Sequence, residues 1–303
     1  IIAVNSGTVE NVTNFASIDF NASTDANDGC VGGVVGSIGT PTAILKNCHN
    51  YGAVTFTGTM GARACIGGVL GFTSQAGAVV EGCQNHASIN QATVNAKEFT
   101  IGGVIGRANT KVTAIECKND GNVSYTYSGK PGTYIHIAGI LGAGYSGCEL
   151  INCENTGEVS SCILQVNRIG GIAGTINTGG KISGCVNKGA ITIAQQANDN
   201  WQGIGGICGF EEKASETSPF VIENSINEGL ISIDITNATT HNNKAAAAGI
   251  IGSSCSYIEV YGCTNKGNVV GKNAASGLLY TGGICGLYRG GNPSCNFHDN
   301  VNE

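Results

Sequence analysis

The residues near position 200 are the best candidates for ligand chemistry in this sequence. Asp199, Asn200 and Trp201 lie in a run of Gln and Asn residues, and Trp201 is the only tryptophan in the chain. An aromatic face can pack on the C–H groups of a sugar ring while amides and a carboxylate bind its hydroxyls. These three residues therefore predict a glycan-binding surface. The alternative is that Trp201 fills a gap in the core.

A second aromatic cluster surrounds the segment Ser128 to Gly132, whose Gly and Pro residues predict a turn. It consists of Tyr125, Tyr127 and Tyr134. The same two interpretations apply to it, a contact surface for a ligand or packing within the fold. We expect either cluster to bind a glycan or a protein surface.

Patterns that would indicate catalysis are absent from the sequence. It has no nucleophile elbow, no His-Glu-x-x-His segment and no phosphate-binding loop. Its seven Asp residues never share a repeat position in neighbouring repeats, as paired hydrolytic carboxylates would. There is no Cys-x-x-Cys pair to suggest zinc. We therefore expect no enzyme, no metal site and no cofactor, with a carbohydrate-active β-helix enzyme as the alternative.

All these candidate residues lie within an internal sequence repeat of about 35 residues, which should determine the fold that positions them. A Gly-Gly-Val/Ile-x-Gly motif, with Ala at the first position in two copies, begins at 32, 67, 102, 138, 170, 205, 248 and 282. It alternates with a Cys-x-Asn-x-Gly-x-Val motif, first seen at Cys48 to Val54. The many Gly, Asn, Thr and Ser residues disfavour helix, and the recurring Val and Ile favour strands.

This pattern predicts an all-β fold, a single-stranded parallel β-solenoid or right-handed β-helix, with about eight coils. Each coil should contain three short strands: one at the Gly-Gly motif, one before the Cys and one after Asn-x-Gly. The Asn-x-Gly step should turn sharply, with positive φ. One domain should span 1–303, with a partial N-terminal coil at 1–31 and a degenerate C-terminal coil at 282–303.

Stacked coils should place equivalent side chains in columns. Amides in an Asn column can bond along the stack, and Cβ atoms about 4.8 Å apart are too distant for disulfides, so the Cys column should hold free, buried thiols. The predicted Asn ladder contains Asn50, Asn85, Asn119, Asn155, Asn187, Asn227 and Asn265. The predicted Cys column contains Cys48, Cys83, Cys117, Cys153, Cys185, Cys263 and Cys295, with Ser225 in one coil.

Charge and hydropathy limit the partners. The formal net charge is −6 and basic residues are not clustered, which excludes nucleic acid as a partner. No apolar run approaches the ~18 residues of a membrane-spanning helix, so we expect no membrane insertion. Unpaired strand edges at the two ends of a solenoid predict that copies can associate end to end.

The two alternating motifs resemble the GLUG-type repeats of bacterial cell-surface proteins, which are abundant in Bacteroidetes. This resemblance implies an exported, extracellular protein on the bacterial surface, whose export signal is not part of this chain. The family has no agreed catalytic residues to carry over. We expect a non-enzymatic module, an adhesin or stalk, that binds host or microbial glycan or surface protein through a lateral face or the irregular coil near 210–244. A pure spacer without a ligand is a further alternative.

Overall fold

The described part of the chain is built entirely from short parallel strands. The computed structural model describes residues 2–24, 28–94, 96–126, 134–162, 166–196, 201–237, 244–273, 278–289 and 295–303. Within them, every strand pairs in parallel with the equivalent strand one coil away, and there is no helix. The predicted all-β parallel solenoid is therefore confirmed.

Each complete coil contributes one strand to each of five sheets, which we number in chain order from Gly29. Sheet 1 contains Gly29–Gly32, Arg63–Gly67, Glu98–Gly102, Tyr134–Ala138, Val166–Gly170, Trp201–Gly205, Lys244–Ala248 and Leu278–Gly282. Sheet 2 contains Ile2–Asn5, Val35–Ile38, Leu70–Thr73, Ile105–Ala108, Leu141–Gly144, Ala173–Ile176, Cys208–Glu211, Ile251–Ser254 and Cys285–Tyr288.

The remaining three sheets follow around the coil. Sheet 3 contains Thr8–Glu10, Ile44–Lys46, Ala78–Glu81, Val112–Ile115, Glu149–Ile151, Gly180–Ser183, Phe220–Glu223, Ile258–Tyr261 and Cys295–His298. Sheet 4 contains Thr13–Asn14, His49–Asn50, Gln84–Asn85, Lys118–Asn119, Glu154–Asn155, Val186–Asn187, Ile226–Asn227, Thr264–Asn265 and Val301–Asn302. Sheet 5 contains Ile18–Thr24, Val54–Met60, Ile89–Val94, Val123–Tyr125, Val159–Ser161, Ile191–Gln196, Ile231–Asn237 and Val269–Asn273.

Five strands per coil replace the three expected from the sequence. The chain bends at the Gly-Gly pair, so the one strand predicted there becomes two, as at Gly29–Gly32 and Val35–Ile38. The Asn that begins the predicted Asn-x-Gly turn instead ends a two-residue strand, such as His49–Asn50. Both differences arise because short segments pair with neighbouring coils even where the chain changes direction.

The sharp turn of each coil lies one residue before the Cys column. Asn47, Glu116 and Asn152 have φ of 50°, 52° and 52°, and Gly82 has 60° at the same place. The predicted positive φ at Asn-x-Gly is therefore wrong. The Gly of that motif is needed for another reason: a Cβ on Gly52 would lie less than 3.0 Å from the Ala16 carbonyl of the preceding coil.

The predicted Asn ladder is confirmed and extends further than expected. Each buried Asn donates from Nδ2 to the Oδ1 of the next Asn at 2.7–2.8 Å, from Asn14 through to Asn302. The same Nδ2 donates to the carbonyl two residues along its own chain. Both amide hydrogens are thus satisfied without water, which the burial of these side chains requires.

The two sequence motifs meet in space at a waist that divides the coil. A Cβ on Gly103, the second Gly of its Gly-Gly pair, would lie less than 3.0 Å from both the Asn119 side chain and the Gly139 carbonyl. On one side of the waist, sheets 2 and 3 enclose a core with residues such as Leu70 and Val80. On the other side, sheets 1 and 5 enclose a second core with residues such as Ile66 and Phe56.

The Cys column lines the first core, and its thiols are free and buried as predicted. Cys48 Sγ, for example, donates to the Val9 carbonyl at 3.5 Å. Cys295 is the exception, because it pairs with Ile258 in sheet 3, five residues before the column position. That position is held by Asn300, whose Oδ1 accepts from the Cys263 amide at 3.0 Å. In the last coil, therefore, an Asn side chain occupies the column position in place of a Cys.

Candidate functional site

Sheets 1 and 2 diverge from the Gly-Gly bend and form the two walls of a space that we call the cleft. The walls touch directly, since the Arg168 guanidinium of sheet 1 lies 4.2 Å from the ring centre of Phe210 in sheet 2. Their backbones also approach closely, because a Cβ on Gly106 of sheet 2 would lie 2.7 Å from the Ile66 carbonyl of sheet 1. Glycine is required there for that approach.

Two columns of side chains face the cleft, one from each wall. Ala143 and Phe210 are buried yet belong to neither of the two cores formed by the described residues. The column of sheet 1 includes Cys30, Cys65, Thr100, His136 and Arg168 in register. The column of sheet 2 includes Ser37, Phe72, Arg107, Ala143, Thr175 and Phe210 in register.

A charged cluster lies in the cleft around Glu98. Its Oε2 is 2.5 Å from Arg107 Nη1, and its Oε1 is 3.3 Å from His136 Nε2 and accepts a short hydrogen bond from the Tyr145 hydroxyl. The Arg107 guanidinium also packs on the Tyr145 ring, 4.2 Å from its centre. Arg107 Nε is held by Asn109 Oδ1 at 2.7 Å. Two adjacent coils thus supply one connected set of polar contacts.

The protonation states in this cluster follow from burial and charge. Burial lowers the pKa of His136 to about 4, despite the hydrogen bond to Glu98 that opposes the shift. Burial alone would raise the pKa of Glu98, but His136, Arg107 and Tyr145 hold it well below its usual value. Burial and the Glu98 charge raise the pKa of Tyr145. At neutral pH the cluster therefore contains a carboxylate, a guanidinium, a neutral imidazole and a phenol.

A second set of contacts lies one coil further along. The Arg168 guanidinium packs against the Phe210 ring at 4.2 Å and the Tyr134 ring at 5.2 Å, and its Nη2 lies 3.3 Å from Glu212 Oε2. Its Nε is buried with no hydrogen-bond partner among the described residues, as is His136 Nδ1. Buried polar atoms normally have a partner, so these two mark places for water or a ligand group.

The cleft opens to solvent beside the cluster around Glu98. The opening has a volume of about 490 Å³ and is lined by Asp28, Ala62, Arg63, Lys97, Glu98, Arg107 and Tyr134. This volume lies in the range of ~300–1,000 Å³ that is typical of small-ligand sites. Arg63 Nε donates to Asp28 Oδ1 at 2.9 Å across the mouth. The opening therefore combines an aromatic ring, two carboxylates and three cations.

Tyr134 is the sequence-predicted residue that lies at this opening. It is 42% exposed at the outer end of its strand, in register with Glu98. Tyr125 is 1% exposed and packs against Phe99 inside the second core, so its prediction as a ligand contact is wrong. Tyr125 ends a sheet 5 strand with its side chain on the inner face. Its distance in sequence from the predicted turn at Ser128 to Gly132 could not show which face it occupies.

The other predicted residues are only partly described. Tyr127, Asp199 and Asn200 lie outside the described residues. Trp201 begins a strand of sheet 1 and pairs with Lys244 of the next coil. The pairings of Tyr134 with Val166 and of Arg168 with Gly203 place Trp201 in the same row of backbone positions as Tyr134, two coils away. At ~4.8 Å per coil, the two positions lie roughly 10 Å apart along the cleft.

Sequence reasoning missed the main cluster of the cleft. Glu98, Arg107, His136 and Arg168 occur once each at their repeat positions, so no motif recurs. The signal that could have found Arg107, His136 and Arg168 is a charged residue or His beside a Gly-Gly motif, where the remaining coils have uncharged residues. Arg107 in the segment Ile105–Ala108 is the plainest case.

Comparison with protein-family models, curated proteins and solved structures finds no match to this chain. No group of three or more His, Cys, Asp or Glu side chains in the described ranges is placed to hold a metal ion. In the same ranges, no helix could span a membrane. The chemistry of the cleft must therefore be judged from its own residues.

The irregular sixth coil contains a carboxylate with a structural role. Glu211 is fully buried and accepts hydrogen bonds from Ser254 Oγ, Ser256 Oγ and the Ala214 amide at 2.9, 2.6 and 2.7 Å. Burial raises its pKa. These bonds fix the extra residues that follow Glu211 against the next coil, so this carboxylate is fully occupied by the fold.

Proposed function

We propose that this protein is a non-enzymatic β-solenoid module of the bacterial cell surface that binds glycan in the cleft between sheets 1 and 2. One observation carries the proposal: the exposed ring of Tyr134 borders an opening of about 490 Å³ that also contains the carboxylates of Asp28 and Glu98. An aromatic face beside convergent hydrogen-bonding groups suits a sugar ring. The extracellular location rests on the resemblance to GLUG-type repeats.

The rigidity of the site favours binding by preorganisation. Glu98 is held by Arg107, His136 and Tyr145, so its carboxylate oxygens are fixed before a ligand arrives. A site whose side chains are already ordered loses less conformational entropy on binding. The row shared by Tyr134 and Trp201 runs along the solenoid, which suits an extended chain of sugars better than a single one.

Binding to a glycan array tests the proposal, with Tyr134→Ala as the variant. Loss of a ring that contributes about 1.5 kcal/mol should weaken binding about tenfold. Tyr51→Ala is the matched control, because Tyr51 is also exposed but lies on the sheet 4 face, stacked with His86. Equal affinity of the two variants, or no binding to any glycan, would contradict a glycan site in the cleft.

A carbohydrate-active enzyme is the second candidate, favoured by the presence of Asp28 and Glu98 at one opening. Glycoside hydrolysis needs one carboxyl group that stays protonated near neutral pH. Glu98 is held ionised by its neighbours, and Asp28 is paired with Arg63. We therefore place binding ahead of catalysis. Release of reducing ends or of unsaturated sugars from any polysaccharide, abolished by Glu98→Gln, would reverse that order.

A further inference from the structure

The cations at the cleft opening indicate which class of glycan it takes. Among the described residues that line the opening, Arg63, Lys97 and Arg107 face two carboxylates, Asp28 and Glu98, in a chain whose formal net charge is −6. The opening therefore has a net positive charge on an acidic protein. A local charge opposite to that of the whole chain concentrates ligands of the complementary sign.

The ion pairs at the opening leave one cation over. Arg63 pairs with Asp28 and Arg107 pairs with Glu98. Lys97 is exposed, and it takes part in no ion pair with any residue that the structure describes. Its position is fixed by its backbone, because the Lys97 amide donates to the Ala62 carbonyl at 2.7 Å. Because Lys97 lines the opening and is exposed, its ammonium group is available to a ligand there.

We propose that the cleft recognises a sugar that carries a carboxylate, with the Lys97 ammonium binding that carboxylate. This inference rests on the proposed glycan-binding function and specifies its ligand class. The sugar's hydroxyls donate to Asp28 and Glu98, and its C–H face packs on Tyr134, in the arrangement described above. The paired guanidinium of Arg107 keeps the Glu98 charge from repelling the ligand.

Isothermal titration calorimetry with pairs of matched saccharides tests this inference. One pair is an oligogalacturonate and its methyl ester, which differ only in whether the carboxylate is free. A second pair is a sialylated trisaccharide and its neutral disaccharide core, which separates sialic acid from uronic acid as the source of the charge. A charge-assisted contact at an exposed site should make the preferred acid bind about tenfold more tightly than its neutral partner.

Lys97→Gln removes the charge at an exposed position, so the fold should survive. In this variant the acid should lose its advantage and bind like the ester. Lys272→Gln is the control for loss of a lysine charge elsewhere on the surface, since Lys272 is an exposed lysine of sheet 5 whose Nζ lies 3.5 Å from Asp234 Oδ2. The advantage should persist in the control. Raising the salt concentration should shrink the advantage of the acid in the unmodified protein, because an exposed charge pair is screened.

The outcomes separate the two proposals. Equal binding of an acid and its neutral partner would leave glycan binding in place and overturn the carboxylate preference. A preference that survives Lys97→Gln would overturn the assignment to Lys97. If none of the four saccharides binds and a broad glycan array is also negative, the proposed function itself fails.

Discussion

The Asn ladder makes a sharp prediction for the variant Asn119→Ala. Asn119 donates to Asn155 Oδ1 and to the Gly121 carbonyl, both at 2.8 Å, and accepts from Asn85 Nδ2 at 2.8 Å. Three buried hydrogen bonds at about 1 kcal/mol each give about 3 kcal/mol, and the unpaired buried partners raise the loss to about 5 kcal/mol. We therefore expect the free energy of unfolding to fall by about 3–5 kcal/mol.

Urea unfolding followed by circular dichroism measures this loss. The slope of the free energy against urea should stay constant, so that the shift in midpoint reports stability alone. Asn302→Ala provides an internal comparison, because Asn302 accepts one ladder bond, from Asn265, and its side chain lies at the last coil. Its cost should be about 1 kcal/mol.

Asn122→Ala is the matched control for Asn119→Ala in the same coil. Asn122 is exposed and its Oδ1 accepts a bond from the Glu158 amide at 3.1 Å. We expect a cost below about 1 kcal/mol. If Asn119→Ala costs no more than Asn122→Ala, the ladder bonds contribute nothing net and the reasoning is refuted.

Three further predictions follow from the waist, the thiols and the buried histidine. Gly103→Ala should destabilise the protein by more than about 2 kcal/mol in the same unfolding assay, since its Cβ would collide with backbone, whereas Gly7→Ala, with nothing within 4 Å, should be neutral. In the native protein a thiol reagent should modify Cys162 first and Cys263 only after unfolding, because Cys162 is exposed whereas Cys263 is buried. Burial raises the pKa of both thiols, that of Cys263 to about 11, so exposure makes the difference. The pKa of His136 is lowered to about 4 in the folded protein, so between about pH 6.5 and pH 4 the unfolded chain binds a proton that the folded chain does not. The stability of the protein should therefore fall as the pH falls through that window. His136→Gln should weaken this pH dependence, measured by thermal unfolding at a series of pH values.

The repeat revealed the solenoid because its motifs report backbone requirements that recur in every coil. Gly103 and Asn119 belong to different motifs, yet each recurs because the two side-chain positions meet at the waist. The motifs do not indicate which residue of each coil adopts the left-handed backbone conformation. In one coil that residue is Glu116, with φ of 52°, and a Glu is not a residue type that predicts this conformation.

The cleft was harder to foresee than the fold. Its cluster joins Glu98, Arg107, His136 and Tyr145 from neighbouring coils, and each occurs once at its repeat position. A search for repeated motifs cannot detect residues that occur only once at their repeat position. An aromatic residue near a turn is conspicuous in sequence, which identifies Tyr134. The two faces of a short strand look alike in sequence, so the same reasoning gives the wrong environment for Tyr125.

The direction of the hydrogen bonds has a mechanical consequence. Strands lie across the solenoid, so the backbone bonds and the Asn ladder bonds all run from coil to coil along its length. Tension applied between the first and last coils therefore pulls these bonds open one rung at a time instead of shearing many together. Each rupture should release one repeat of about 35 residues, roughly 120 Å of extended chain. A force–extension trace would then show a regular sawtooth, and a tethered module of this kind would yield stepwise and keep its remaining coils folded.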